Sequence, residues 1–91
     1  MKFVLLYDSG DDVARKAPAQ FPAHRARLDE FHDAGTLLMV GTFENPQENG
    51  SMGVFTTRDS AEAFATGDPF VLNGVVKAWR VVAWNEVLLP D

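Results

Sequence analysis

The sequence predicts an α+β domain of the ferredoxin-like type, an antiparallel four-stranded sheet with two helices on one face. Two observations support this prediction. Four apolar segments typical of strands are separated by turn residues, and helical patterns follow the first and the third of them, which gives the order β-α-β-β-α-β. The chain has 91 residues and no internal repeat, so we predict a single domain over residues 1–91.

The first strand and the first helix are predicted at residues 2–8 and 22–34. The segment KFVLLYD is apolar and stops before a run of serine, glycine and aspartate. A loop through residues 17–19 then leads to the helix, since Pro22 suits a first helical position. Gly35 supplies the C-terminal stop of this helix.

The next two strands are predicted to run antiparallel to each other. Residues 36–43, TLLMVGTF, are apolar with β-branched members, and residues 51–57, SMGVFTT, form the return strand. Between them lies ENPQENG, residues 44–50, which is rich in turn-forming residues. We therefore expect a turn there, too short to form a long flap over a cleft.

The second helix and the last strand complete the pattern. Asp59 or Ser60 can cap the helix SAEAFATG, residues 60–67, which ends at a glycine. The Asp-Pro pair that follows breaks the helical pattern, and residues 71–74 are a connecting segment. Residues 75–87, VVKAWRVVAWNEV, are rich in valine and tryptophan and form the last strand.

Both faces of the predicted sheet carry apolar side chains. In the first strand Leu5 and Tyr7 alternate with Val4 and Leu6. The helices cover one face only, so the other face needs a second cover. A homodimer that packs sheet against sheet supplies it and forms a dimeric α/β barrel. The alternative is that the C-terminal tail, WNEVLLPD, folds over its own sheet.

His24 interrupts the apolar stripe of the first helix. It lies at three- and four-residue steps from Phe21 and Leu28, so an imidazole faces inward. In the predicted topology the first helix begins at the same end of the sheet at which the second helix ends, which brings His24 near Asp68. Asp8, at the end of the first strand, is at this end as well and is a second candidate partner for His24.

Composition excludes several kinds of site. The chain has no cysteine, so disulfides, thiol nucleophiles and thiolate metal sites are excluded. A formal net charge of −5 disfavours nucleic acid as a partner. No segment has the length and apolarity of a signal peptide or a membrane span, so we predict a cytoplasmic protein without a membrane partner. The two histidines lack metal-ligand spacing and no phosphate-binding glycine motif occurs, so we predict no metal and no cofactor.

Two segments resemble the YciI-like (YCII-related) family. The first segment is PAHRARLDEFHDAGTLLMVG, in which a histidine follows a short proline-containing turn and is followed by a leucine, a polar helix end, a glycine and an apolar strand. The second segment is ATGDPFVLNGVVKAWRVVAWNEV, in which an aspartate, a proline and an aromatic residue are followed by a glycine and a long final strand. The resemblance covers nearly the whole chain. It implies a ferredoxin-like dimer with a cleft that holds a His-Asp pair, here His24 and Asp68. The family includes an enzyme that eliminates chloride from a chlorinated hydroxyquinone.

The sequence departs from this family at one basic position. Members often carry arginine three residues before the histidine, where this chain has Phe21. Arg25, Arg27 or Arg80 could take its place in binding an anionic group.

The His-Asp pair suggests a reaction class. A carboxylate beside a histidine fixes its tautomer and stabilises the imidazolium, so the ring serves as general base or acid. We predict a small cofactor-independent lyase or isomerase in which His24 and Asp68 are catalytic. Its predicted substrate is a small metabolite, a class that includes aromatic compounds, and Asp8 and Arg80 are predicted to bind it. Two alternatives stay open: a non-catalytic dimer that binds a small molecule, and a cofactor-free monooxygenase of the dimeric α/β barrel type.

Overall fold

The computed structural model describes residues 1–88 of the chain. Its elements are β1 (Lys2–Ser9), α1 (Val13–Asp33), β2 (Leu37–Thr42), α2 (Pro46–Asn49), β3 (Ser51–Phe55), α3 (Arg58–Gly67), α4 (Pro69–Leu72) and β4 (Val76–Trp84). These strands form one antiparallel sheet in the order β2-β3-β1-β4. The predicted ferredoxin-like α+β fold is confirmed. The last three residues of the predicted domain 1–91, which also end the predicted tail, lie outside the described residues.

The core lies between the sheet and the helices α1 and α3. Leu5 of β1, Phe55 of β3 and Phe64 of α3 are almost fully buried there. The Phe55 and Phe64 rings lie 5.6 Å apart between centroids, and Phe31 of α1 meets Phe64 edge-on at 5.2 Å. Buried aromatic side chains contribute the largest share of core stability, about 3–5 kcal/mol when one is truncated to alanine. This cluster therefore holds α1 and α3 against the sheet.

Helix α1 begins at Val13, well before the predicted start at Pro22, and the predicted loop at residues 17–19 is helical. An interior proline costs a helix about 3 kcal/mol, which is why the sequence pattern indicated a break at Pro18. Contacts outside the helix support its first turns, since Val13 N–H donates to Gln47 Oε1 at 2.9 Å. Within residues 1–88 no helix is both long and apolar enough to cross a membrane.

Three other predicted boundaries differ in the structure. The segment 44–50 contains the short helix α2, and the predicted connecting segment 71–74 overlaps α4. The cap of α3 is Thr57 rather than Asp59 or Ser60: its hydroxyl oxygen accepts a hydrogen bond of 3.1 Å from the backbone N–H of Ser60. The start of α3 differs because several neighbouring polar residues can cap a helix.

Strand β4 ends at Trp84 instead of Val87, because its partner ends there. Lys2, the first residue of β1, pairs with Trp84. Beyond that pair, Lys2 Nζ donates a hydrogen bond of 2.8 Å to Glu86 Oε1, and this bond lowers the pKa of Glu86. Val87 and Leu88 are largely exposed, so the tail as far as residue 88 does not cover the sheet.

The face of the sheet away from the helices is uncovered, and we call it the open face. Side chains alternate across a strand, so Val4 and Leu6 of β1 share this face with Val82 and Trp84 of β4. Val82 and Trp84 are 39 % and 42 % exposed. The open face thus presents large apolar side chains to solvent.

Two glycines with positive φ provide a matched test of the close approach between residue 50 and β1. Gly35 has φ 83° and open space where a Cβ would stand, whereas Gly50 has φ 76° and its Cβ would collide with the backbone carbonyl oxygen of Tyr7. We expect Gly35→Ala to lower the free energy of unfolding by about 1–2 kcal/mol, the cost of a left-handed conformation. Gly50→Ala carries the collision in addition and is expected to cost about 3 kcal/mol or more. Chemical denaturation measures both, and equal losses would contradict the close approach of Gly50 to β1.

Candidate active site

An apolar cavity of about 250 Å³ lies between α1 and the sheet. This volume is just below the range of about 300–1,000 Å³ that is usual for ligand pockets. Aliphatic and aromatic side chains form most of its wall, including Leu28, Phe55, Phe64 and Phe70. The polar side chains that line it are Tyr7, His24, Thr42 and Ser51. Among the described residues, no aspartate, glutamate, lysine or arginine lines this cavity.

His24 lines the cavity and is the most buried residue of α1, with 8 % of its surface exposed. Because α1 starts earlier than predicted, His24 lies near the middle of the helix rather than in its first turn. Its Nδ1 is 2.7 Å from Oδ1 of Asp68. A carboxylate accepts hydrogen bonds, so Nδ1 carries the proton and the lone pair of the neutral ring is on Nε2. Within residues 1–88, Nε2 makes no hydrogen bond.

Asp68 is fully buried between α3 and α4. A residue before proline favours extended backbone, and proline favours the first helical position, so the Asp68-Pro69 pair ends α3 and starts α4. As the cap of α4, Asp68 accepts a hydrogen bond of 3.1 Å at Oδ1 from the backbone N–H of Phe70. The local sequence thus fixes the direction of the carboxylate toward α1.

Two phenylalanines fix the plane of the His24 ring. Phe70 stacks on it at 3.7 Å between centroids and an angle of 5°, and Phe64 meets it edge-on at 6.3 Å. Together with the bond to Asp68, these contacts leave the imidazole little rotational freedom.

Tyr7 is the site residue that the sequence analysis missed. Its hydroxyl donates a hydrogen bond of 2.6 Å to Oδ2 of Asp68, and burial, followed by this bond to Asp68, raises the pKa of Tyr7 far above its usual value. Alternation along β1 places Tyr7 and Asp8 on opposite faces of the sheet, so only one of them faces the helices. A buried tyrosine hydroxyl requires a hydrogen-bond partner, and that requirement was the available signal.

The other predicted site residues lie away from the cavity. Asp8 and Arg80 are exposed residues that alternate onto the open face, and neither lines this cavity; the carboxylate in contact with His24 is that of Asp68. Arg25 is exposed and pairs with Asp29. Arg27 donates to the backbone carbonyl oxygens of residues 63 and 64 at the end of α3. None of these three arginines lines the cavity.

The sequence and the structure both match known proteins. Residues 1–85 match the family model of the YCII-related domain. The chain is 31 % identical to the protein YciI of Escherichia coli O6:H1 and to that of Shigella flexneri, over 96 % of this chain and 99 % of each relative. Among solved structures, 5-chloro-2-hydroxyhydroquinone dehydrochlorinase (TftG) from Burkholderia phenoliruptrix, in complex with 2,5-dihydroxybenzoquinone, matches with a TM-score of 0.74 over 96 % of both chains. The two share 19 % sequence identity, so this match shows a common fold.

The buried phenol of Tyr7 predicts an unusual alkaline titration. Tyr7 is the only tyrosine in the chain, so the ultraviolet absorbance of tyrosinate reports on it alone. We expect the folded protein to form no tyrosinate at pH 10, the ordinary pKa, whereas the chain unfolded in denaturant ionises there. Because the pKa is raised by folding, the associated stability is complete below pH 10 and is lost as the pH rises further.

The variant Asp68→Asn tests the cause of that shift. It removes the anionic acceptor but keeps the phenol buried, so tyrosinate should form at a lower pH than in the wild type and still above pH 10. Circular dichroism at each pH shows whether the chain is folded. Tyrosinate formation near pH 10 in the folded wild type would contradict the buried bond.

Proposed function

Because the chain belongs to the YCII-related family, we propose that it is a small enzyme in which His24, oriented by Asp68, transfers a proton on a small metabolite. One observation carries this proposal: His24 Nδ1 is 2.7 Å from the Asp68 carboxylate while Nε2 has no partner in the described chain. A histidine held in this way has a fixed tautomer and a basic nitrogen available to a ligand.

The proposed chemistry needs only a positioned base. Nε2 removes a proton from an acidic C–H or O–H of the substrate, and the imidazolium that forms is stabilised by the negative charge of Asp68. The electron pair left on the substrate forms a new double bond. In an elimination it expels a leaving group as an anion, and in an isomerisation the imidazolium returns the proton to another atom of the substrate.

The cavity favours a small and largely uncharged substrate. Its volume is about 250 Å³ and no charged side chain of the described residues other than the titratable His24 lines it, so a carboxylate or phosphate group would be desolvated without a counterion. Rings of Phe55, Phe64 and Phe70 offer flat apolar contacts. The structural neighbour is a dehydrochlorinase of a chlorinated hydroxyhydroquinone, so elimination from an aromatic ring is the first reaction to test.

A binding protein without catalysis is the second candidate. Its support is the stacking of Phe70 on the His24 ring, since such a contact also occurs where an imidazole only packs in a core. In that case His24 and Asp68 would shape the cavity, and a ligand would bind without being turned over.

We also propose that two copies associate through their open faces. Val82 and Trp84 expose large apolar area there, and a domain of this size buries a modest fraction of its own surface. The described tail does not cover this face. A second copy of the chain would bury these side chains by packing sheet against sheet.

The enzyme proposal predicts a large effect of His24 substitution. With 5-chloro-2-hydroxyhydroquinone and related hydroxylated aromatics as probes, we expect His24→Gln to lower kcat/KM about 10²- to 10⁴-fold, because the proton acceptor is lost. Asp68→Asn should lower it as well, since the amide cannot stabilise the imidazolium. Product formation is followed by chromatography and by chloride release.

His32→Gln is the matched control, because His32 is an exposed residue of the same helix and does not line the cavity. It should keep wild-type activity. Equal turnover by the wild type and His24→Gln would exclude His24 as the base. Saturable binding without any turnover in the wild type would instead support the binding protein.

The dimer proposal predicts a change in molecular mass. We expect the wild type to sediment as a dimer and Val82→Glu to sediment as a monomer, because a buried unpaired carboxylate is costly. Leu72→Glu is the control, since Leu72 is 66 % exposed on α4, away from the open face. A wild-type monomer at high concentration, or a dimer that survives Val82→Glu, would rule out this interface.

A further inference from the structure

The Asp68 carboxylate receives three hydrogen bonds, and one of them comes from the sheet. Oδ1 accepts from His24 Nδ1 at 2.7 Å and from the backbone N–H of Phe70 at 3.1 Å. Oδ2 accepts from the Tyr7 hydroxyl at 2.6 Å. A buried carboxylate has no water to share its charge, so each donor affects how strongly the others are held.

From this arrangement we infer that Tyr7 is a positioning residue of the candidate site, which acts through Asp68 and sets how strongly His24 attracts a proton. Tyr7 lies in β1, between β3 and β4, where it pairs with Ser51 and Trp79. Its ring position is therefore fixed by the centre of the sheet, and its hydroxyl holds Oδ2 while Oδ1 contacts His24 of α1. The inference rests on the proposed function, although its test needs no substrate.

Tyr7 is a permanent donor across the physiological pH range. Burial and the bond to Asp68 raise its pKa, so the phenol keeps its proton wherever the protein is folded near neutral pH. A hydroxyl that donates to a carboxylate spreads the negative charge and weakens the attraction of that carboxylate for a neighbouring imidazolium. The Tyr7 hydroxyl thereby makes His24 less basic than a His-Asp pair without it.

One further charge lies near this network. The positive charge of the Arg27 guanidinium partly offsets the rise of the Tyr7 pKa. This guanidinium donates hydrogen bonds to the backbone carbonyl oxygens of Ala63 and Phe64. Within residues 1–88, no aspartate, glutamate, lysine or arginine lines the cavity, so His24 is its only side chain that could carry a charge near neutral pH. Arg27 is present in the wild type and in each Tyr7 variant, so a difference between these proteins reports on the phenol.

The first experiment is an NMR titration of the two histidine rings in the wild type and in Tyr7→Phe. The substitution keeps the aromatic ring and removes only the donor, so the proton affinity of the coupled His24-Asp68 pair should increase. We expect the titration midpoint of His24 to rise relative to the wild type. His32, an exposed ring on the same helix, is the internal control and should not move.

The second experiment strengthens the donor instead of removing it. Because the chain has one tyrosine, replacing tyrosine with 3-fluorotyrosine during expression changes Tyr7 alone. The fluorinated phenol is more acidic and donates a stronger hydrogen bond to Asp68, so the His24 midpoint should fall. If Tyr7→Phe does not fold, this measurement alone decides the question, with unfluorinated protein as the reference.

Opposite shifts in the two proteins support the inference, because a residue that only fills space would not produce a response that follows donor strength. An unchanged midpoint, or shifts in the same direction, would overturn it. These outcomes are independent of turnover: absence of activity in every assay would remove the proposed enzyme function, while the titrations would still decide the link between Tyr7 and His24. Where a substrate is found, the pH profile of kcat/KM should move in the same direction as the midpoint.

Discussion

The buried carboxylate of Asp68 is the constraint on which the arrangement of the helices and the sheet depends. An ionised group without solvent is costly unless several donors share its charge, and here donors come from β1, α1 and α4. Each donor is correctly placed only when its element is packed in the native position. The hydrogen bonds that stabilise the charge therefore also fix His24 relative to the sheet. Removal of one donor changes how strongly the carboxylate binds the remaining donors.

The candidate site and the core are built side by side from the same two layers. On the C-terminal side of His24 in α1, Phe31 packs with Phe55 and Phe64 and fills the space between the helix and the sheet. Around His24 the space is not filled, and a cavity remains that is lined by Phe64 and Phe70 as well. Rigid aromatic packing on one side and a shaped apolar cavity on the other give the imidazole a fixed orientation toward the cavity, which the proposed proton transfer requires.

The sequence was sufficient for the order of the elements and for the choice of His24, with Asp68 and Asp8 as its two candidate partners. Periodicity places His24 on the inner face of α1, and the Asp-Pro pair marks the end of α3, because both signals are local. It was insufficient for the start of α1. Pro18 and Pro22 carry a strong local signal against a helix, and contacts from α2, such as Gln47 to Val13, oppose that signal only in the folded chain.

By itself, the sequence determined the fold class and the family, since patterning and short motifs express both locally, and it left Asp68 and Asp8 as the two candidate partners of His24. Only the tertiary structure decided which alternating set of side chains faces the helices. Alternation shows that Tyr7 and Asp8 point in opposite directions, but the pairing of β1 with β3 and β4 and the packing of α1 and α3 decide that Tyr7 points inward. The same long-range pairing places Arg80 on the open face. A partner such as the Tyr7 hydroxyl for Asp68, 61 positions apart in the chain, becomes visible only when those contacts exist.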